Sequence, residues 1–125
     1  QALLEFGRAS AMTTAEFGVL MSKWARFCSS MLSFLEKYDV IICPVCGYPA
    51  LPHGATFDFD KVPAFSYTMT YNLTGWPSVV IRGGTSPEGL PIGVQVVARP
   101  WHEDVALAVA QYIETCLGGW QRPPL

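Results

Sequence analysis

Cys43-Pro44-Val45-Cys46 is the stretch whose residue types and spacing come nearest to a reactive centre. Two thiols separated by two residues suit a zinc knuckle or a dithiol redox pair. A zinc site wants a second such pair, and the remaining cysteines, Cys28 and Cys116, do not have that spacing. A redox pair wants a helix N-terminus to lower the thiol pKa, whereas this one leaves a predicted strand for a proline-rich loop. The plain reading is two unrelated thiols. His53 lies between Pro52 and Gly54 in that loop, and His102 stands beside Glu103 and Asp104 at a predicted helix start, where a cation is disfavoured. Both read as surface or hydrogen-bonded histidines. Ser29-Ser30, Lys23 and Lys37 are the types that an activated-hydroxyl mechanism uses. They fall on one predicted helix, the serines at its middle and the lysines on its exposed side. Gly83-Gly84 lacks the pattern of a phosphate loop. We therefore assign no catalytic residue, no metal and no cofactor to the chain.

The elements around these residues are readable from periodicity. Thr13-Thr14-Ala15-Glu16 resembles a capping box, with Thr13 as N-cap and Glu16 reaching back. Apolar residues then recur at Phe17, Leu20, Met21, Trp24, Phe27, Cys28, Met31, Leu32 and Leu35, which predicts a helix with a broad buried stripe, ending near Tyr38. Val40-Ile41-Ile42 reads as a strand stopped by Pro44. Residues 44–63 contain Pro44, Pro49, Pro52 and Pro63 and read as irregular. Phe65 to Leu73 reads as a short helix ending at Gly75. Ser78 to Ile81 and Ile92 to Ala98 read as strands, with a turn from Gly83 to Gly89 between them. Asp104 would cap a last helix carrying Val105, Val109, Tyr112, Ile113, Cys116 and Leu117 on one face and stopped by Gly118-Gly119. Asn72, Thr74 and Gln95 lie near strand ends, where satisfying backbone groups is the commoner job than lining a pocket.

Half of the 125 residues are hydrophobic and 14% are charged. An ordinary soluble domain has about 25% charged residues, and a small chain, with its high surface-to-volume ratio, should need more. The strands are hydrophobic on both faces, as in a larger, covered sheet. We read the chain as part of a longer one whose remainder covers an apolar face. Gln1 is not a start residue, no signal-peptide pattern follows it, and no stretch approaches the ~18 apolar residues of a membrane span. The expected location is cytoplasmic. Net charge is −2 and Lys and Arg are not clustered, which speaks against nucleic acid or an anionic membrane as partner. Cysteines on predicted helices in apolar company agree with a reducing compartment.

Four segments, in order and spacing, resemble one family: Tyr38-Asp39-Val40-Ile41-Ile42-Cys43-Pro44, then Tyr71-Asn72-Leu73-Thr74-Gly75-Trp76-Pro77-Ser78, then Gly89 to Pro100, then the helix from Glu103-Asp104 to Gly118-Gly119-Trp120 with Pro123-Pro124. Together they are similar to the C-terminal portion of amidase-signature enzymes. The resemblance implies an α/β fold in which mixed sheet strands are flanked by helices, with residues 1–125 a C-terminal fragment of a single domain. It implies hydrolysis of the C–N bond of linear carboxamides by a serine nucleophile, linked through a serine in a cis peptide to a lysine base. That triad would lie upstream of this chain, so the fragment itself should be inactive. In the fatty-acid amide hydrolase-like branch, which Phe65 to Asn72 resembles most, the positions matching Phe65 and Met69 face the acyl group. The glutamyl-tRNA amidotransferase branch has an acidic residue at the position of Phe65. Phe65 and Met69 are thus the candidate substrate-binding residues, and an apolar or aromatic acyl group is the expected substrate portion. The implied partners are a small-molecule amide, the remainder of the same chain and, through the long helix, a second copy. A non-catalytic binding or interaction module is the alternative.

Overall fold

A computed structural model describes residues 2–55 and 59–122 of the chain. They fall into two units that divide between Phe34 and Leu35.

The first unit is helical. α1 spans Ala2–Ala9, with Glu5 in its first turn and Arg8 in its last. This charge order complements the helix dipole. It is a helix of two turns that no cap residue announces in the sequence. α2 spans Thr14–Phe34. Its start is the expected capping box: the Thr13 N–H donates to Glu16 Oε2 at 2.7 Å, and the Glu16 N–H donates to Thr13 Oγ1 at 3.3 Å. Hydrogen bonds from the Thr13 backbone and side chain hold the Glu16 carboxyl below the usual carboxylate range. The helical spacing of the apolar residues is realised, but of the stripe only Leu35, in the turn that follows α2, is buried, with Cys28 and Met31 half-buried. No residue of α2 is buried, and Phe17 is 52% exposed. The helix ends at Phe34 and gives way to a 3-10 turn over Leu35–Lys37.

The second unit is built on three strands, β1 (Val40–Pro44), β2 (Ser78–Thr85) and β3 (Pro91–Ala98), in the order β1-β3-β2. Both pairs are antiparallel, with Cys43 opposite Gln95 and Val80 opposite Gln95 from the other side. β3 is therefore central, and its residues 95–98 are all buried. A strand covered on both faces reads as an unbroken apolar run rather than an alternation, and Val96-Val97-Ala98 is such a run. α3 (Ser66–Thr74) follows a 3-10 segment, Phe59–Phe65. It closes on Gly75 in the left-handed conformation, whose N–H donates to the Tyr71 carbonyl at 2.8 Å. α4 (Glu103–Cys116) packs against β2 and β3.

Three further expectations are corrected. Gly83-Gly84 does not begin the turn. β2 continues through it to Thr85, and Gly83 is the extra residue of a bulge between Arg82 and Gly84. A methyl at Gly83 would run into Val94 Cγ2, so only glycine lets the bulged backbone lie this close to β3. The reversal comes later, at Ser86–Leu90, where the Ser86 N–H donates to the Leu90 carbonyl and Gly89 has φ +86°. Asp104 does not cap α4. The cap position is His102, without a side-chain cap bond, and Asp104 joins Glu103 in the first turn, where acidic charge complements the dipole's positive end. The buried face of α4 is Ala106 and Ala110, one turn apart, while Tyr112 is 72% exposed. The small side chains let the helix lie close to the sheet. Val105, Val109 and Ile113 are half-buried, in keeping with the apolar period, but Tyr112 lies off that face.

Candidate functional site

A concavity of the second unit lies where β1 leaves the sheet. It is a cleft of about 300 Å³ walled by Val45, Cys46, Tyr48, Pro49, Ala50 and Leu51 on one side, by Phe65 on another, and floored by Val80, Pro91, Ile92 and Gly93. Its lining is apolar apart from the Cys46 thiol, the Tyr48 phenol and the backbone.

Local chemistry places each wall. Pro44 cannot donate to the sheet ladder, so the chain turns out of β1 there. Val45 then lies back over β3. Gly93 makes room for it: a Cβ at Gly93 would sit 3.0 Å from Val45 Cγ2 and 3.3 Å from Val80 Cγ1. Gly47 donates its N–H to the Ala64 carbonyl at 3.0 Å, which fastens this loop to the segment carrying Phe65. Gln95, 2% exposed, donates from Nε2 to the carbonyls of Pro44 at 3.0 Å and Tyr67 at 3.1 Å. Behind the cleft, Cys43 Sγ and the Tyr71 hydroxyl are 3.7 Å apart, joining β1 to α3. Tyr71 also stacks on the nearly buried Trp76, with ring centroids 6.4 Å apart and planes at 27°. Burial foremost, then the hydrogen bond and charge of Cys43, pushes the Tyr71 phenol up to about 12.

The two sequence-predicted binding residues are separated by this geometry. Phe65 is half-buried, precedes the first residue of α3 and walls the cleft. Met69, one turn into α3, is 54% exposed and is not part of that wall. The walls missed by sequence reasoning are Val45, Cys46, Tyr48 and Leu51 from the proline-rich loop, and Ile92 with Val80 from the sheet. The loop's prolines and aromatics are a signal, but nothing in their order says which surface they cover. Cys46 is the useful case. Read as one of two unrelated thiols, it contributes to an apolar lining.

The remaining chemical residues do not converge. Ser29, Ser30 and Lys23 are exposed on α2, Lys37 is exposed on the 3-10 turn after it, and His53 and His102 are exposed. Thr74 spends its hydroxyl on the Thr70 carbonyl at 3.1 Å, and Gln95 its amide on the two carbonyls already named. The expectation that such groups satisfy backbone is met at both positions. Among the described residues, no three His, Cys, Asp or Glu side chains come together as a metal-holding group, and no helix is long and apolar enough to cross a membrane.

This arrangement of sheet, loop and helix has counterparts. A fatty acid amide hydrolase of Medicago truncatula is 32% identical over 122 residues, covering 92% of this chain and 20% of its own. One polypeptide of the glutamyl-tRNA(Gln) amidotransferase of Roseobacter denitrificans is 33% identical over 93 residues, covering 72% of this chain and 19% of its own. Among solved structures, 6-aminohexanoate cyclic dimer hydrolase with bound substrate superposes with a TM-score of 0.77 at 26% identity, over 94% of this chain and 28% of that one. The chain thus spans about a fifth of the length of the curated relatives it matches. The amidase family model matches residues 8–107. Four-fifths of the chain lies within that match, from before the capping box of α2 to the first turns of α4, and the chain belongs to the amidase family.

Proposed function

We propose that this chain is the C-terminal portion of a single amidase domain that hydrolyses the C–N bond of linear amides. The serine nucleophile, the bridging serine in its cis peptide and the lysine base belong to the part of the protein upstream of Gln1. In such a centre the lysine takes the nucleophile's proton through the bridging serine, and the relay returns it to the departing amine. The present residues supply strands, packing helices and one wall of the acyl site. The observation that carries this reading is the apolar cleft with Phe65 in its wall. A carboxylate at that position could hold a substrate amino group; a phenyl ring cannot, and it favours an apolar or aromatic acyl group. Met69 is held to the same role, completed by residues outside this chain. We place the enzyme in the cytoplasm.

The test is made on the full-length protein. Phe65→Ala should lower kcat/KM for aryl and acyl amides on the order of 10- to 100-fold, as expected for emptying part of an apolar pocket, mainly through KM. The purified 125 residues alone should hydrolyse none of them. A full-length enzyme that prefers glutamine or asparagine over acyl amides overturns the acyl reading. Amide hydrolysis by the isolated chain overturns the upstream centre.

A further inference from the structure

Gln95 is a primary amide almost wholly removed from water, in a strand whose next three residues are apolar and buried. A buried polar side chain persists where its hydrogen bonds are made, and the bonds here are specific. One nitrogen carries two N–H groups, and Nε2 lies within hydrogen-bond distance of two carbonyls from different elements: Pro44, the last residue of β1, and Tyr67, in the first turn of α3. Both carbonyls stand next to the cleft. Val45 and Cys46 follow Pro44 directly, and Phe65 lies two residues before Tyr67. Gln95 itself is not in the cleft lining. One side chain therefore links the backbone beside two parts of the lining, in addition to the Gly47 N–H to Ala64 carbonyl bond, without being part of the lining itself.

We propose that Gln95 is a positioning residue for acyl selectivity: by tying the Pro44 and Tyr67 carbonyls together it sets the width of the cleft and so the size of acyl group accepted. This rests on the reading of the cleft as part of the acyl site. An apolar side chain of the same length would fill the space but leave the Gly47 N–H to Ala64 carbonyl bond to hold the loop and the Phe65 segment together without the Gln95 tie.

The experiment uses the full-length protein with two substrate series, one varying the acyl group on a fixed amine and one varying the amine on a fixed acyl group. In Gln95→Met, the ratio of kcat/KM between slim and bulky acyl groups should shift on the order of tenfold, carried by KM, while the ranking of amines stays as in the wild type. Gln95→Glu adds a second readout. Its protonated carboxyl can donate to one carbonyl and its ionised form to neither, so its acyl ratio should move toward the wild-type value as pH falls, whereas the wild-type ratio should not change with pH. It also serves if Gln95→Met is not recovered folded. Equal losses across both series, or a Gln95→Glu ratio equal to wild type at every pH, would overturn the proposal and leave Gln95 a packing residue. Phe65→Ala in the same assay separates the two ideas. If it shifts the acyl ranking and the Gln95 variants do not, only the role of Gln95 fails. If it does not shift the ranking, the acyl reading of the cleft fails.

Discussion

Gly83 and Gly84 are neighbours of the same type with opposite demands. A methyl at Gly83 meets Val94 Cγ2, whereas a methyl at Gly84 meets nothing within 4 Å. Gly83→Ala should therefore cost about 1–3 kcal/mol, the usual penalty for overpacking, and Gly84→Ala should be close to neutral, as read from chemical denaturation of the full-length protein. Tyr71 gives a pH signature. Its phenol is raised from 10.0 to about 12, first by burial and then by Cys43. Folding thus favours the neutral phenol, and the associated stability is complete below pH 10 and is lost as pH rises toward 12. Ultraviolet titration of tyrosinate should show one late phase absent from Tyr71→Phe, and that variant should lose the alkaline decline in stability between those values. A Tyr71 that ionises with the exposed tyrosines would contradict its half-buried contact with Cys43.

Elements are legible in the sequence in proportion to how local their causes are. The capping box at Thr13 and Glu16 requires only four residues, and it forms as expected. Thr13→Ala should destabilise α2 by about 1 kcal/mol, visible as lost helicity by circular dichroism in a peptide covering residues 10–36; unchanged helicity would mean that the cap bonds contribute nothing. The left-handed stop at Gly75 and the strands at Val40 and Ile92 are equally plain, because a glycine after a helix and β-branched runs carry their own signals. What sequence does not show is tertiary. The Gly83 bulge depends on the proximity of Val94, the buried face of α4 depends on two alanines fitting a sheet, and α1 has no cap residue to announce it. The site divides the same way. Phe65 is singled out because a family resemblance points to it, and it lines the cleft. Gln95 is expected to satisfy backbone groups and does so, but that those groups adjoin two different parts of a cleft lining follows from the β1–β3 register and the docking of α3.

For the molecule as a whole, the low charge content has a visible counterpart. Phe17, Leu20, Met21, Trp24, Phe27 and Leu32 are all more than a third exposed along α2, and Trp101 is 90% exposed in a turn where its φ is +67°. Apolar surface of this extent favours burial by further protein, in keeping with a chain that spans about a fifth of its curated relatives. The isolated 125 residues should bind a dye reporting apolar surface strongly and associate at micromolar concentration, whereas the full-length protein should do neither. A soluble, dye-silent monomer would favour the alternative of a self-sufficient interaction module.

The strand order has a consequence for biosynthesis. β2 and β3 are joined by a short turn and can zip together within ~1–10 μs of becoming available. β1 is made before β2 and β3, yet among the described residues its partner in the sheet is β3, and the Gln95–Pro44 bond that ties its end spans 51 residues. At ~5–20 residues per second, translation therefore releases Val40-Ile41-Ile42 from the ribosome several seconds before the strand that will cover it exists. Val40-Ile41-Ile42 is thus a β-branched segment that waits for its strand partner during synthesis, and a slow stretch of codons between β1 and β3 would lengthen that wait.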